Sequence, residues 1–311
     1  MRSTRRGLRM QTARRLWLLF FLAPATVLFA VFITYPIFSA LAYSLFAWEG
    51  IGRRGFAGLA NFVRLFTTFP YPRLLAGAFA HNVIVFVITM IIQNGTALAL
   101  AVLLARAPWG ARFYRVVFFL PVTLSLVIIG FMWALFLNPV FGIVNKSLPL
   151  VGLGGFVRPW LGDPQTALVT LVLINAWRWL GFPTLVFLAG INAVPEEFLE
   201  AARLDGAGEW NLFRHVILPL LAPAITIIVI LTFIGSFNWF ELPYVVNGVQ
   251  GAPNRATDVL GLMFYRTAFG EVDTGLQDIG IGSAIAVLMF LLMVSVSTLG
   301  AVFLRRREVE Y

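Results

Sequence analysis

The chain has no cysteine among its 311 residues, which excludes disulfides, thiolate metal sites and a catalytic thiol together. Histidine is almost as scarce: His81 and His215 stand alone, far from any cluster that would complete a zinc site. The only lysine, Lys146, lies in Val144-Asn145-Lys146-Ser147 with no glycine ahead of it at phosphate-loop spacing. A Walker A loop is therefore missing, and ATP hydrolysis by this chain is excluded. Charge is scarce as well, at 12% of residues against 60% hydrophobic, which excludes an ordinary soluble globule. The net charge of +9 would suit a nucleic-acid binder, but the arginines flank apolar runs, where orientation in a membrane accounts for them. No nucleic-acid partner is expected. What remains is an all-α integral membrane protein in contact with a lipid bilayer.

Six apolar segments are each long enough to cross a bilayer, which takes ~20 helical residues. The first runs from Leu16 to about Trp48 and carries Pro24 and Pro36, which should kink or shorten it. A cleaved signal peptide competes for this segment, but the apolar run is too long for a signal core and lacks a clear small-residue cleavage site. The others cover about 81–105, 113–137, 168–192, 220–243 and 280–304, with Pro121 inside the third helix. Residues 1–15 form a basic N-terminal segment, 16–304 one transmembrane domain and 305–311 a short tail, without internal repeats or low-complexity linkers. With the N-terminus inside, 14 arginines fall on the cytoplasmic side and 8 basic residues outside, while Arg178 lies within the fourth helix. The acids divide 7 and 7, so the bias is in the basic residues, as the positive-inside rule requires. Both termini are expected in the cytoplasm. The outer loop from Asn138 to Thr166 is long and mixed enough to fold locally and to receive a partner.

The longest polar interruption that still has a helical design is 195–219, PEEFLEAARLDGAGEWNLFRHVILP. Pro195 suits the first position of a helix, and Glu196, Glu197 and Glu200 place negative charge where the helix dipole favours it. Gly206 falls about three turns later, where a C-terminal cap belongs. A second short helix over Glu209 to Val216 can follow, with Pro219 opening the next apolar segment. The spacing predicts a helix-turn-helix hairpin on the cytoplasmic side. Phe198, Ala201 and Ala202 share one face of its first helix, small enough for another surface to approach closely. The plainer alternative is an amphipathic hairpin resting on lipid headgroups.

Glu200-Ala201-Ala202, three residues, Gly206, then Val216-Ile217-Leu218-Pro219 resembles the signature loop of the membrane-spanning subunits of bacterial ABC importers. Ile191-Asn192-Ala193-Val194-Pro195 and Asp205-Gly206-Ala207 fit the same pattern, as do Phe21-Leu22-Ala23-Pro24, Tyr35-Pro36, Ser44-Leu45-Phe46 and Gly58-Leu59-Ala60-Asn61-Phe62 of the sugar-type permeases. The resemblance spans about Phe21 to Leu304 and implies a type I ABC importer permease, of the maltose or glycerol-phosphate first-subunit type, for a carbohydrate or polyol. It implies a coupling helix through which Glu200, Ala201, Ala202, Asp205, Gly206 and Pro219 engage a separate ATPase. The implied partners are a second, different permease, two copies of a cytoplasmic ATP-binding subunit and an extracytoplasmic solute-binding protein, in a bacterial or archaeal plasma membrane. By the same resemblance this chain binds no cofactor, and ATP is used by the partner.

Polar groups within apolar segments mark a candidate path for cargo. Asn175, Trp177, Arg178 and Trp179 cluster on the fourth segment, Asn238, Trp239, Glu241 and Tyr244 on the fifth beside Ser236, and Gln93 and Asn94 lie on the second. Sugars present hydroxyls and flat C–H faces, which amides, carboxylates and aromatic rings complement. The competing reading gives these residues packing roles, with Trp and Tyr in interfacial belts and Asn and Gln joining helices. Glu241 stands where related sugar permeases usually carry aspartate. Two other classes compete for the whole chain. A stand-alone ion- or proton-coupled transporter would carry charged pairs in several helices, whereas only Arg178 lies well inside one. A membrane enzyme would need a cluster of acids or histidines that is missing.

Overall fold

The computed structural model describes residues 17–106, 109–270 and 277–305. The basic segment 1–15 and the tail beyond residue 305 lie outside the described residues. Helix α1, Trp17–Ser44, is apolar throughout and presents its large side chains outward, Phe21 and Phe32 each 72% exposed. Pro36 cannot donate to the ladder, and the helix absorbs this by widening to a π-turn over Ala30–Thr34, where Tyr35 N–H reaches back to Ala30 O. Helical structure stops at Ser44, short of the expected end at Trp48.

A two-stranded hairpin follows, β1 (Phe46–Glu49) and β2 (Gly52–Phe56), in an otherwise helical fold. It was not part of the helical expectation. Gly50, with φ +57°, supplies the first central position of the two-residue turn. Phe46 faces Phe56 across the strands, edge to face at 5.6 Å between ring centroids. Asn61, at the start of α2 (Ala60–Thr67), is buried and donates to both Ser44 O and Phe46 O, tying the hairpin to the end of α1.

Helix α3, Tyr71–Ala105, begins ten residues before the expected start and contains a π-turn, Thr89–Asn94. The third apolar segment is broken: α4 (Ala111–Thr123) and α5 (Leu126–Phe136) meet at 98°. The last turn of α4 tightens to a 3₁₀ form around Pro121, and Leu124 and Ser125 have extended backbone. The fourth segment is bent by 47° between α7 (Ala167–Trp179) and α8 (Gly181–Asn192), with Pro183 in the first turn after the bend. Gly181 is required there by close approach: a Cβ would sit 2.5 Å from Phe118 O. Between α5 and α7 the outer stretch folds around the short helix α6 (Ile143–Ser147), whose buried Asn145 donates to Arg158 O and accepts from Trp160 Nε1.

Helices α9 (Glu196–Leu204) and α10 (Glu209–Leu212) form the polar hairpin. Helical structure runs on through a π-turn, Phe213–Ile217, and Leu218–Leu220 into α11 (Ala222–Phe237), so the second helix does not end at Val216 as the sequence suggested. The device is that of α1: the residue before the proline, Leu218, donates to Phe213 O, five residues back. After α11 the chain breaks over 238–240 and resumes as α12 (Glu241–Asn247), followed by α13 (Leu260–Phe269) and α14 (Ile279–Arg305).

Among the described residues four helical stretches are long and apolar enough to cross a membrane, Trp17–Ser44, Tyr71–Ala105, Ala222–Asn247 and Ile279–Leu304. Counting each bent pair as one span makes six. The interior is built from three apolar clusters. One joins α5, α7, α12 and α13 through Ile129, Leu171, Leu242 and Leu262. Another joins α2, α13 and α14 through Leu65, Met263, Ile281 and Ile285, and the last joins α3, α8 and α11 through Ala97, Ala101, Phe187 and Ile228.

Candidate functional site

A cavity of about 740 Å³ lies between α3, α7, α8, α11 and α13. Its wall on α3 is the π-turn, whose extra residue turns Thr89, Gln93 and Asn94 inward, all three buried. Asn94 is held by a 2.8 Å bond from Nδ2 to Thr232 Oγ1 on α11. The facing wall is the broken stretch after α11, which brings Asn238, Trp239, Phe240 and Glu241 to one rim. The bend between α7 and α8 contributes Asn175, Arg178 and Trp179, with the Arg178 guanidinium 5.1 Å from the Trp179 ring centroid.

Four buried polar atoms of this wall have no hydrogen-bond partner among the described residues: Thr89 Oγ1, Gln93 Oε1, Arg178 Nε and Trp239 Nε1. Buried groups of this kind cost free energy unless something bonds them. The set contains two donors, one carbonyl acceptor and one hydroxyl that serves either way. Arg178, half-buried, and Glu241, exposed, both line the cavity. Phe240 and Tyr265 add ring surface, 5.3 Å apart between centroids. Such a wall suits a ligand with many hydroxyl groups and apolar faces.

Of the residues singled out in the sequence as a candidate path, Gln93, Asn94, Asn175, Arg178, Trp179, Ser236, Asn238, Trp239 and Glu241 line the cavity, and Trp177 and Tyr244 do not. Trp177 points elsewhere, packing edge to face on Trp133 at 5.6 Å. Tyr244 sits outside the lining, its ring against Phe240 and Tyr265. Thr89, Thr232, Phe240 and Tyr265 line it without having been singled out. Three of these carry no charge or amide to mark them in an apolar run, and Tyr265 comes from α13, beyond the expected fifth span.

The polar hairpin forms a separate, exposed feature. Pro195 has extended backbone ahead of α9, and Glu196 and Glu197 occupy its first turn. The helix closes with two capping bonds, Gly206 N–H to Arg203 O at 3.0 Å and Ala207 N–H to Ala202 O at 2.9 Å, with Gly206 at φ +82°. Glu200, Ala201, Asp205 and Gly206 are exposed and Ala202 half-buried, while Pro219 lies farther on in the helix leading to α11. Leu204 is 89% exposed and Trp210 67% exposed, an apolar surface at the tip of the hairpin. Arg106, just after α3, pairs with Glu209 at 2.9 Å and tethers the base of α10.

Residues 93–309 match the family described as binding-protein-dependent transport system inner membrane component. The chain belongs to this family. Its curated relatives include the probable ABC transporter permease protein YurN of Bacillus subtilis, 33% identical over 93% of this chain and 96% of that one. A probable starch degradation products transport system permease protein of Thermoanaerobacterium thermosulfurigenes is 31% identical over 95% of this chain and 96% of its own. The lactose transport system permease protein of Rhizobium radiobacter is 32% identical over 81% and 83%. Among solved structures, a chain of a bacterial ABC transporter involved in the import of the acidic polysaccharide alginate superposes with a TM-score of 0.76, at 21% identity, covering 96% of this chain and 98% of that one. The fold is thus that of an ABC importer permease, a multi-pass membrane subunit. In this permease both the cavity and the capped hairpin fall within the matched residues, apart from Val85 and Thr89 on the α3 wall.

Proposed function

We propose that this permease forms the translocation path of an ATP-driven importer for a carbohydrate, an oligosaccharide or polyol-like solute. The observation that carries the reading is the cavity, where the polar side chains of Asn175, Arg178, Asn238 and Glu241 stand beside the rings of Trp179, Trp239, Phe240 and Tyr265. A polyhydroxylated cargo would bond these side chains and lay its C–H faces on the rings. The names of the relatives from Thermoanaerobacterium thermosulfurigenes and Rhizobium radiobacter, which refer to starch products and lactose, agree with that chemistry.

ATP is hydrolysed in this reading by a partner, in two copies, that grips α9 and the Leu204–Trp210 tip through Glu200, Ala201, Ala202, Asp205 and Gly206, while Pro219 lets the strain pass into α11. A second, different permease completes the path, and an extracytoplasmic solute-binding protein delivers the cargo; a solved relative of the fold is in complex with such a protein bearing an alginate pentasaccharide. Each bent pair is read as one span, giving six, with both termini and the hairpin in the cytoplasm of a bacterial or archaeal cell. The whole of 16–304 acts as one domain.

Isolation of the chain from its native membrane, beside a Glu200→Arg, Gly206→Val double variant, tests the coupling. ATPase activity should accompany the native chain and be lost from the variant at equal membrane levels. Well-folded native chain without an associated ATPase would sink the reading and favour a stand-alone transporter.

A further inference from the structure

We propose that Asn82, which does not line the cavity, is the residue that positions its aromatic rim and thereby sets cargo affinity and preference. The inference rests on the cavity being the cargo path. Asn82 on α3 is fully buried. Its Nδ2 donates to Ser236 O at 2.7 Å and its Oδ1 accepts from Leu260 N–H at 2.9 Å. Both backbone groups are orphans of helix ends. Ser236 lies in the last turn of α11, where the break over 238–240 interrupts the ladder, and Leu260 is the first residue of α13, whose N-terminus has no side-chain cap from Val259.

One amide therefore joins the end of α11 to the start of α13 across the stretch that carries Asn238, Trp239 and Phe240. Two neighbouring contacts tighten the grip. His81 Nδ1 is 2.6 Å from Asp258 O, two residues before Leu260, and Gly261 is so close to the break that a Cβ would sit 2.9 Å from Trp239 O and 3.0 Å from Phe240 Cβ. Trp239 and Phe240 thus hold their place in the cavity wall because the backbone before them and the start of α13 packed against them are both pinned to α3. An amide suits the task, since it offers an uncharged donor and acceptor on one short planar group. Gln93 and Asn94, farther along the same helix, reach the cavity directly, so α3 carries both direct lining and the anchor of the opposite wall.

The test is uptake by cells carrying the complete importer, with the probe that the native cells take up fastest from a radiolabelled panel of glucosides, galactosides and uronosides. Asn82→Leu, Gly261→Ala and Trp239→Ala are compared at matched membrane levels. Asn82→Leu removes both bonds at similar volume, and Gly261→Ala displaces the rim without touching them. Each should raise the transport KM about tenfold, with a smaller change in the maximal rate, and alter the order of preference within the panel. Should Asn82→Leu fail to accumulate, Asn82→Ser, too short to bridge both backbone groups, gives the same decision. Unchanged KM and preference in the Asn82 and Gly261 variants, with Trp239→Ala shifted, overturns the positioning role and leaves the cavity reading standing. If Trp239→Ala is also unshifted, the cavity is not the path and both proposals fall.

Discussion

Arg266 and Asp258 are each 5% exposed in their side chains and meet through two bonds, Nη2 to Oδ2 at 2.7 Å and Nη1 to Oδ1 at 3.1 Å. Arg266 Nη1 also donates to Val249 O, so the pair fastens the long connection between α12 and α13. Removing Arg266 leaves the buried Asp258 carboxylate, among the described residues, with only the part-exposed Arg255 at 3.8 Å, a loss that can reach about 3–5 kcal/mol, whereas removing both partners costs far less. Arg266→Met should accordingly lower the thermal midpoint in detergent markedly, and Arg266→Met with Asp258→Leu should recover most of the loss. Equal losses in the single and double variants would show that the pair is not what holds this connection. Nothing local in the sequence marks these two as partners, because an acid eight residues before an arginine is common in loops. The polar residues of the cavity wall were easier to find, since an amide or arginine in an apolar run stands out by its cost. Their direction was not: a helix turns about 100° per residue, so Arg178 faces the cavity while Trp177 beside it packs on Trp133.

The α9 cap shows what local chemistry alone can specify. Pro195, the early glutamates and Gly206 at the right distance define both ends of the helix, and the structure has the bonds that spacing calls for. Nothing lies within 4 Å of a Cβ at Gly206, so its need for glycine is conformational and not steric. A β-branched residue at φ +82° should cost about 1–2 kcal/mol and unwind the cap. Gly208, at φ −70° and ψ 164°, is a control two residues away, in backbone that valine adopts readily. Gly206→Val should leave ATP hydrolysis by the assembled importer running with cargo uptake reduced at least several-fold, while Gly208→Val stays near native; equal uptake in the two would remove the cap from the coupling mechanism. The three π-turns and the hairpin of β1 and β2 were beyond a periodicity reading for different reasons. In a segment that is apolar all round, a one-residue insertion shifts no visible stripe. Gly50 and Gly52 lie at the hairpin turn, but the strands on either side of it are only four and five residues long, too short to show an alternating pattern.

Large apolar side chains face outward on several helices, with Phe20, Phe131 and Leu299 each 68–69% exposed on α1, α5 and α14, as a bilayer-embedded protein requires. Length and hydropathy alone leave the bent pairs undecided between spans and re-entrant hairpins, because both would be apolar and both would bury their backbone bonds. The two topologies place the outer stretch around α6 on opposite sides. With six spans Ile51 and Leu150 share the outer side, and Trp109 and Leu204 the inner one. If α4 with α5 turned back within the membrane, Leu150 would move to the side of Trp109. The chain has no cysteine, so single cysteines at these four positions, 84%, 85%, 98% and 89% exposed in that order of sides, report on topology without further changes. In intact cells a membrane-impermeant maleimide should label Ile51→Cys and Leu150→Cys, and reach Trp109→Cys and Leu204→Cys only after the membrane is opened. Protection of Leu150→Cys in intact cells would make the 98° bend a re-entrant turn and reduce the spans. Labelling of Leu204→Cys from outside would put the capped hairpin out of reach of any cytoplasmic ATPase.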